Sequence, residues 1–168
     1  MAAITKKDTI GKVMNDYPEI GSVLMSAGLH CIGCHVSEYE SIEDGCRGHG
    51  LDDKNVDELI IAANKMVEIF DKLPSVAFAP GAIEELQARL LNSKGKFIRV
   101  LPVFGEFDFE TTQKREKDDV EVHVEAKDKK KFIVLIEPKT ARLLKGIRID
   151  YDKKAKDFVA KSERKLSL

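Results

Sequence analysis

Between Thr9 and Lys72 apolar residues recur at intervals of three and four, the spacing of a helix with one buried face. Ile10, Val13, Met14 and Tyr17 form the first stripe, and Pro18 stops it while suiting the first turn of a second helix. Ile20, Val23, Leu24 and Ala27 form the next stripe. Gly28 follows where a left-handed C-terminal residue is wanted. Ser41 reads as an N-cap, with Glu43 and Asp44 in the first turn favouring the helix dipole, and this third helix ends near Gly48 or Gly50. Val56, Leu59, Ile60, Ala63, Val67 and Phe70 predict a long fourth helix, capped by Asp52 or Asp53.

After Leu73-Pro74-Ser75 the period changes. One helix is expected from about Pro80 to Asn92, with Ile83, Leu86 and Leu90 facing inward, and strand patterns follow it. Phe97 to Phe104 reads as one strand, and Phe107 and Phe109 flank Asp108 in a second. Val120, Val122, Val124 and Ala126 alternate with Glu121, His123 and Glu125, predicting one buried and one wet face. Phe132 to Ile136 is a continuous apolar run, as a central strand requires, and Lys127 to Lys131 make the hairpin connection before it. Pro138 opens a short helical turn to Leu144, Ile147, Ile149 and Tyr151 alternate in a further strand, and a last strand lies around Asp157 to Lys161.

The expected fold class is therefore α plus α+β. A small four-helix N-terminal domain, residues 1–73, precedes a mixed β-sheet domain, residues 74–168, with one long and one short helix. Hydrophobic residues make up 43% of the 168 residues and charged residues 34%, so a core can form beneath a highly charged surface. The 28 basic and 29 acidic residues leave a net charge of −1, and no global field favours nucleic acid or an anionic membrane. No stretch approaches the ~20 apolar residues needed to span a bilayer. The first ten residues, MAAITKKDTI, contain no apolar signal region, and a cytoplasmic protein is expected. The runs Gln113–Asp119 and Lys127–Lys131 read as solvated loops.

Composition leaves one chemical question, posed by residues 30–35, HCIGCH. Three cysteines are too few for a disulfide scaffold, and a Cys-x-x-Cys in a reducing compartment points to redox or metal chemistry. Cys31 and Cys34, three apart around Gly33, could exchange between dithiol and disulfide or share one metal, and His30 and His35 could lower a thiol pKa. Adding Cys46 and His49 gives Cys-x2-Cys-x11-Cys-x2-His, the ligand types and spacing of a zinc site. Against that, Cys46 lies four residues after Ile42 and fits a buried stripe, and Gly48 interrupts the helix that would align Cys46 with His49. No phosphate loop, nucleophile elbow or HExxH is present, so enzyme and binding module both remain open.

The stretch ITKKDTIGKVMNDYPEIGSVLMSAGLHCIGC, followed by SIEDGCRGHGLDDKNVDELI, resembles the DUF1858 domain, also described as the hybrid-cluster-protein-associated disulfide domain. The resemblance spans about residues 3–70 and is carried by the TIG helix start, the YPE junction, the G-L-H-C-x-G-C loop and the Cys-x-x-His-Gly helix end. It implies a four-helix fold, a redox pair at Cys31 and Cys34, and ties to iron–sulfur and nitrogen-oxide stress proteins. Cys46 falls where related sequences often carry cysteine.

Residues from about 76 to 160 resemble the A-type iron–sulfur carrier (HesB-like) family through F-A-P-G-A-I-E-E-L, F-I-R-V, D-D-V and I-E-P-K-T-A-R-L-L-K-G-I-R-I-D-Y. That family carries one cysteine in a loop after its first strand and a Cys-x-Cys near the C-terminus. Val103–Phe107 and Ser162–Leu166 occupy those places here, without cysteine. The second domain then lacks the thiolates a cluster needs and is expected to serve as an interaction surface. Together the two resemblances imply a thiol-redox or iron–sulfur-associated accessory protein. A metal or cluster held by Cys31, Cys34, Cys46 and His49 is the alternative, and a non-catalytic adaptor a third. The partner expected is a redox or iron–sulfur protein, and a homodimer is a further expectation.

Overall fold

The computed structural model describes residues 4–29, 38–103 and 106–164. The chain divides into two compact units, Met1–Lys72 and Leu73–Leu168.

Unit 1 is helical. α1 (Ile10–Asp16) begins where Thr9 Oγ1 accepts the Lys12 N–H at 3.2 Å, and it ends at Tyr17 because Pro18 follows. The expected second helix is split. Pro18–Ile20 form a 3-10 turn and α2 (Gly21–Ser26) continues from it, so Pro18 occupies a first-turn position as its fixed φ allows. α3 (Ile42–Gly48) is capped by Ser41, whose Oγ accepts the Asp44 N–H at 3.1 Å. α4 (Asp53–Lys72) starts at Asp52, whose carboxylate accepts the Asn55 N–H at 2.8 Å. Its buried stripe is Val56, Leu59, Ala63, Met66, Val67 and Phe70. Asn64 on α4 ties the N-terminal segment down by accepting the Ile4 N–H and donating to the Ile4 carbonyl, both at 2.8 Å.

The turn before α1 makes unit 1 sensitive to acid. Asp8 is held down to a pKa of about 2, first by the Lys12 ammonium and then by the Thr5 N–H and hydroxyl, which it meets at 2.9, 2.9 and 2.8 Å. A carboxylate whose folded pKa is depressed stabilises the fold above its ordinary value of 3.8, and that contribution disappears as pH falls towards 2. After discounting for solvent screening, about 1 kcal/mol is expected at neutral pH. Asp8→Asn should therefore flatten the loss of unit 1 stability between pH 5 and pH 2 in urea titrations. An acid arm as steep as that of wild type would refute the assignment.

Unit 2 contains β1 (Ala77–Phe78), α5 (Pro80–Leu91), β2 (Phe97–Val103), β3 (Glu106–Thr112), β4 (Val120–Glu125), β5 (Lys131–Ile136), α6 (Pro138–Leu143), β6 (Ile147–Asp152) and β7 (Asp157–Ser162). They build two mixed sheets, one ordered β3-β2-β5-β4 and one ordered β1-β6-β7. In the first, β2 and β5 are parallel and the outer pairs antiparallel. In the second, β1 and β6 are parallel and β6 and β7 antiparallel. α5 packs against β2, β3 and β6, so Ala82 and Leu86 enter one core with Ile98, Val134 and Ile149.

β5 is central, and its apolar run is buried on both faces at Val134 and Leu135. The hairpin before it closes at Lys129, which takes φ +63 while its N–H donates to the Ala126 carbonyl. β1 is absent from the sequence reading, since two residues carry no period; its parallel register with Arg148 and Ile149 creates it. The expected buried face of β4 is also corrected. Val124 and Ala126 are buried, but Val120 is 39% exposed because it starts an edge strand. Among the described residues no helix is long and apolar enough to cross a membrane.

Candidate functional site

In sequence the cysteine segment follows the end of α2, and the last described residue before it is Leu29. The Gly28 N–H donates to the Met25 carbonyl at 3.0 Å and the Leu29 N–H to the Leu24 carbonyl at 3.1 Å, the paired bonds of a Schellman motif. Gly28 takes φ +92, the left-handed conformation that glycine adopts without strain. Leu24 and Leu29 are both fully buried, which pins the outgoing chain to the core.

The description resumes at Glu38, where the backbone is tightly held. A Cβ on Gly11 would lie 2.7 Å from the Glu38 carbonyl oxygen and 2.8 Å from its Cα, so α1 and the returning backbone are in direct contact. The Ile10 N–H donates to the Glu40 carbonyl at 2.9 Å, and the Ile42 and Glu43 N–H groups donate to the Asp8 and Lys6 carbonyls at 3.0 Å. Thr9 and Ser41, the caps of α1 and α3, form an antiparallel bridge across this junction.

α3 places the third cysteine. Cys46 is fully buried, on the same helix as Ile42 and Gly45. Its carbonyl accepts the His49 N–H at 3.1 Å and the Leu51 N–H at 3.0 Å, and Gly50 takes φ +81 in a second Schellman ending. His49 is the C-cap and is exposed. The helix thus stops at the glycine the sequence had marked, with the thiol inside and the imidazole outside.

Glu43, one turn before Arg47, is buried between two cations: Lys7 Nζ lies 2.5 Å from one carboxylate oxygen and Arg47 Nη2 lies 2.8 Å from the other. The Lys7 ammonium holds the Glu43 carboxyl below the usual carboxylate range, and Arg47 adds to this. The sequence reading credited Glu43 with a dipole interaction alone; Lys7, distant in sequence, gives no pattern that would reveal the pair.

Cys31 and Cys34, with His30 and His35, lie outside the described residues. What the structure places is therefore the frame on either side of them, together with Cys46 and His49. Among the described residues no group of three or more His, Cys, Asp or Glu side chains is arranged to hold a metal ion. In unit 2 the sequence holds no cysteine at all.

No curated protein matches the chain. Among solved structures, similarity is found to Escherichia coli SufA, described as involved in biosynthesis of iron–sulfur clusters. The match has 14% identity and a TM-score of 0.42, and covers 55% of this chain and 89% of SufA. Residues 4–60, which include all three cysteines, match the family model described as Domain of unknown function (DUF1858).

Proposed function

We propose that this protein is a cytoplasmic thiol-redox or iron–sulfur-associated accessory protein whose chemistry resides in Cys31 and Cys34, with unit 2, HesB-like in sequence but without ligand cysteines, as its interaction domain. The observation that supports this reading is the burial of Cys46, which is sealed in the core of unit 1. A buried thiol is inert towards exchange, so the reading assigns chemistry with a partner to Cys31 and Cys34.

In the reaction proposed, one of the Cys31 and Cys34 thiolates attacks a partner disulfide and forms a mixed disulfide, and the other thiolate displaces the partner. Cys31 and Cys34 become a disulfide, and two electrons and two protons reduce the partner to its dithiol. Unit 2 contributes no thiolate ligand and enters as a docking surface for the redox or iron–sulfur partner. The four-ligand alternative, with Cys46 and His49, requires a core thiol and an exposed imidazole to converge on one ion.

Thiol counting under denaturing conditions tests the reading. Oxidised wild type should show one titratable thiol and reduced wild type three, the number of cysteines in the chain. Cys31→Ser and Cys34→Ser should each show two in both states. An unchanged count between oxidised and reduced wild type would refute the redox pair. Anaerobic metal analysis separates the alternative: a stoichiometric metal lost in Cys46→Ser would establish the four-ligand site instead.

A further inference from the structure

The geometry points to a docking face for a basic amphipathic helix on the side of β2 and β3 that α5 does not cover. The inference rests on the reading of unit 2 as an interaction domain, and names the surface and the chemistry of what it takes.

α5 packs on one side of the β3-β2-β5-β4 sheet. On the other side the strand register places Glu110, Arg99, Leu135 and Glu121 in one row. The segment between β3 and β4 closes over that row. Arg99 Nη2 meets Asp119 at 2.7 Å, and Arg115 lies 5.4 Å from the Phe97 ring centre and pairs with Glu121 at 2.7 Å. Leu135, opposite Arg99 and Glu121, is fully buried in the row. The charged run Gln113–Asp119 is thus a strap across one end of this face and not a solvated loop alone. At the other end the face opens. Leu101 lies opposite Asp108 and Val103 opposite Glu106, on the same side as Arg99. Leu101 is half-buried and Val103 is 44% exposed.

The edge of β3 does not suit an added strand. β3 is terminal in its sheet, but its central residue is already satisfied. The Phe109 N–H donates to the Asp108 carboxylate at 2.7 Å, and the Phe109 carbonyl accepts from Arg89 Nη1 at 3.1 Å. An occupant therefore lies on the face and not along the edge, and a helix does so with its own backbone bonds complete.

Charge gives the occupant its sign. Asp108 is engaged by Arg89 at 3.6 Å, and Arg99 beside Glu110 is committed to Asp119. Glu106 and Glu110 are exposed and make no ion pair among the described residues. Four residues apart on one strand, they stand about 13 Å from each other. Two lysines seven residues apart share one stripe of a helix at about 10 Å, and their flexible stems span the difference. Such a helix answers both carboxylates while its neighbouring apolar stripe rests on Leu101 and Val103. A face of this size is smaller than the ~800 Å² per partner of stable interfaces, so binding should be weak and salt-dependent.

Fluorescence anisotropy of the full chain tests this, with a labelled synthetic helix of about four turns that carries two lysines seven residues apart and leucines on the adjoining stripe. Binding should saturate, and a scrambled peptide of the same composition should bind about tenfold more weakly. Glu106→Gln with Glu110→Gln should weaken binding by about fivefold, and Val103→Ser by a similar factor, with circular dichroism melts unchanged. Glu58→Gln with Glu68→Gln removes the same charge from the exposed face of α4 and should leave binding as it is. Cys31→Ser with Cys34→Ser should also bind as wild type, so docking is tested separately from thiol exchange. Equal binding of the scrambled peptide, undiminished binding in the Glu106/Glu110 or Val103 variants, or an equal loss in the α4 or cysteine variants would each overturn the proposal.

Discussion

Leu24→Ala will cost unit 1 about 3 kcal/mol, the range for truncating a fully buried leucine. Leu24 is fully buried in α2, and its carbonyl receives the Leu29 N–H that ends the helix. Truncation leaves a cavity beside Leu29 and removes the apolar contact that accompanies a Schellman ending. A unit of this size is stable by only about 4–10 kcal/mol, so the loss takes a large share of the total. The melting temperature of the α1–α4 core should fall by on the order of 15 °C. Amide exchange in α2 and α4 and the reactivity of the Cys46 thiol report the same opening, because a fully buried sulfur meets reagent only when the core opens. Ile61→Ala on α4 is the matched control. Ile61 is 68% exposed, and its truncation should change stability by less than about 0.5 kcal/mol. A Leu24→Ala loss no larger than that of Ile61→Ala would show that the α2 ending is not anchored in the core.

The contrast between these two positions shows what was legible. Ile10, Val13, Leu24, Val56 and Leu59 are buried as their spacing requires, because an amphipathic stripe has only one apolar face to bury. Pro18, Gly28 and Ser41 mark real boundaries because each acts through its own backbone chemistry: a missing N–H, a positive φ and a side-chain acceptor. What escaped depends on partners distant in sequence. β1 exists only through its pairing with β6, and the burial of Glu43 depends on Lys7. Val120 sits in a flawless alternating pattern yet is exposed, since alternation says which residues share a face and not how far the core extends beneath an edge strand. The candidate site divides the same way. The spacing of Cys46 and His49 suggested convergence, but the second Schellman ending buries one and exposes the other.

Asp119→Ala will destabilise unit 2 by about 2 kcal/mol, the cost of leaving the partner of a partly buried, charge-assisted hydrogen-bonded pair unanswered. Arg99 on β2 donates Nη1 and Nη2 to the two oxygens of Asp119 at 2.8 and 2.7 Å, and the Glu116 N–H donates to the same carboxylate at 2.7 Å. The two side chains are only 15% and 3% exposed, so removing the acid strands a charge that water cannot fully reclaim. Without Asp119 the guanidinium keeps only a long contact to the Lys114 carbonyl at 3.4 Å. Arg99 holds the Asp119 carboxyl below its ordinary value of 3.8, and the Glu116 N–H adds to this. The sign follows: the pair stabilises unit 2 above that value and its contribution falls away as pH drops through the lowered one. The gap between wild type and Asp119→Asn in urea unfolding should therefore narrow from pH 7 towards pH 2, and a gap constant over that range would count against the pair. Replacing both members, as Arg99→Met with Asp119→Leu, should recover most of the lost stability, because an apolar pair leaves no buried charge unanswered. If the double replacement is as unstable as Asp119→Ala alone, the cost lies in the Asp119 turn with Glu116 rather than in the stranded cation.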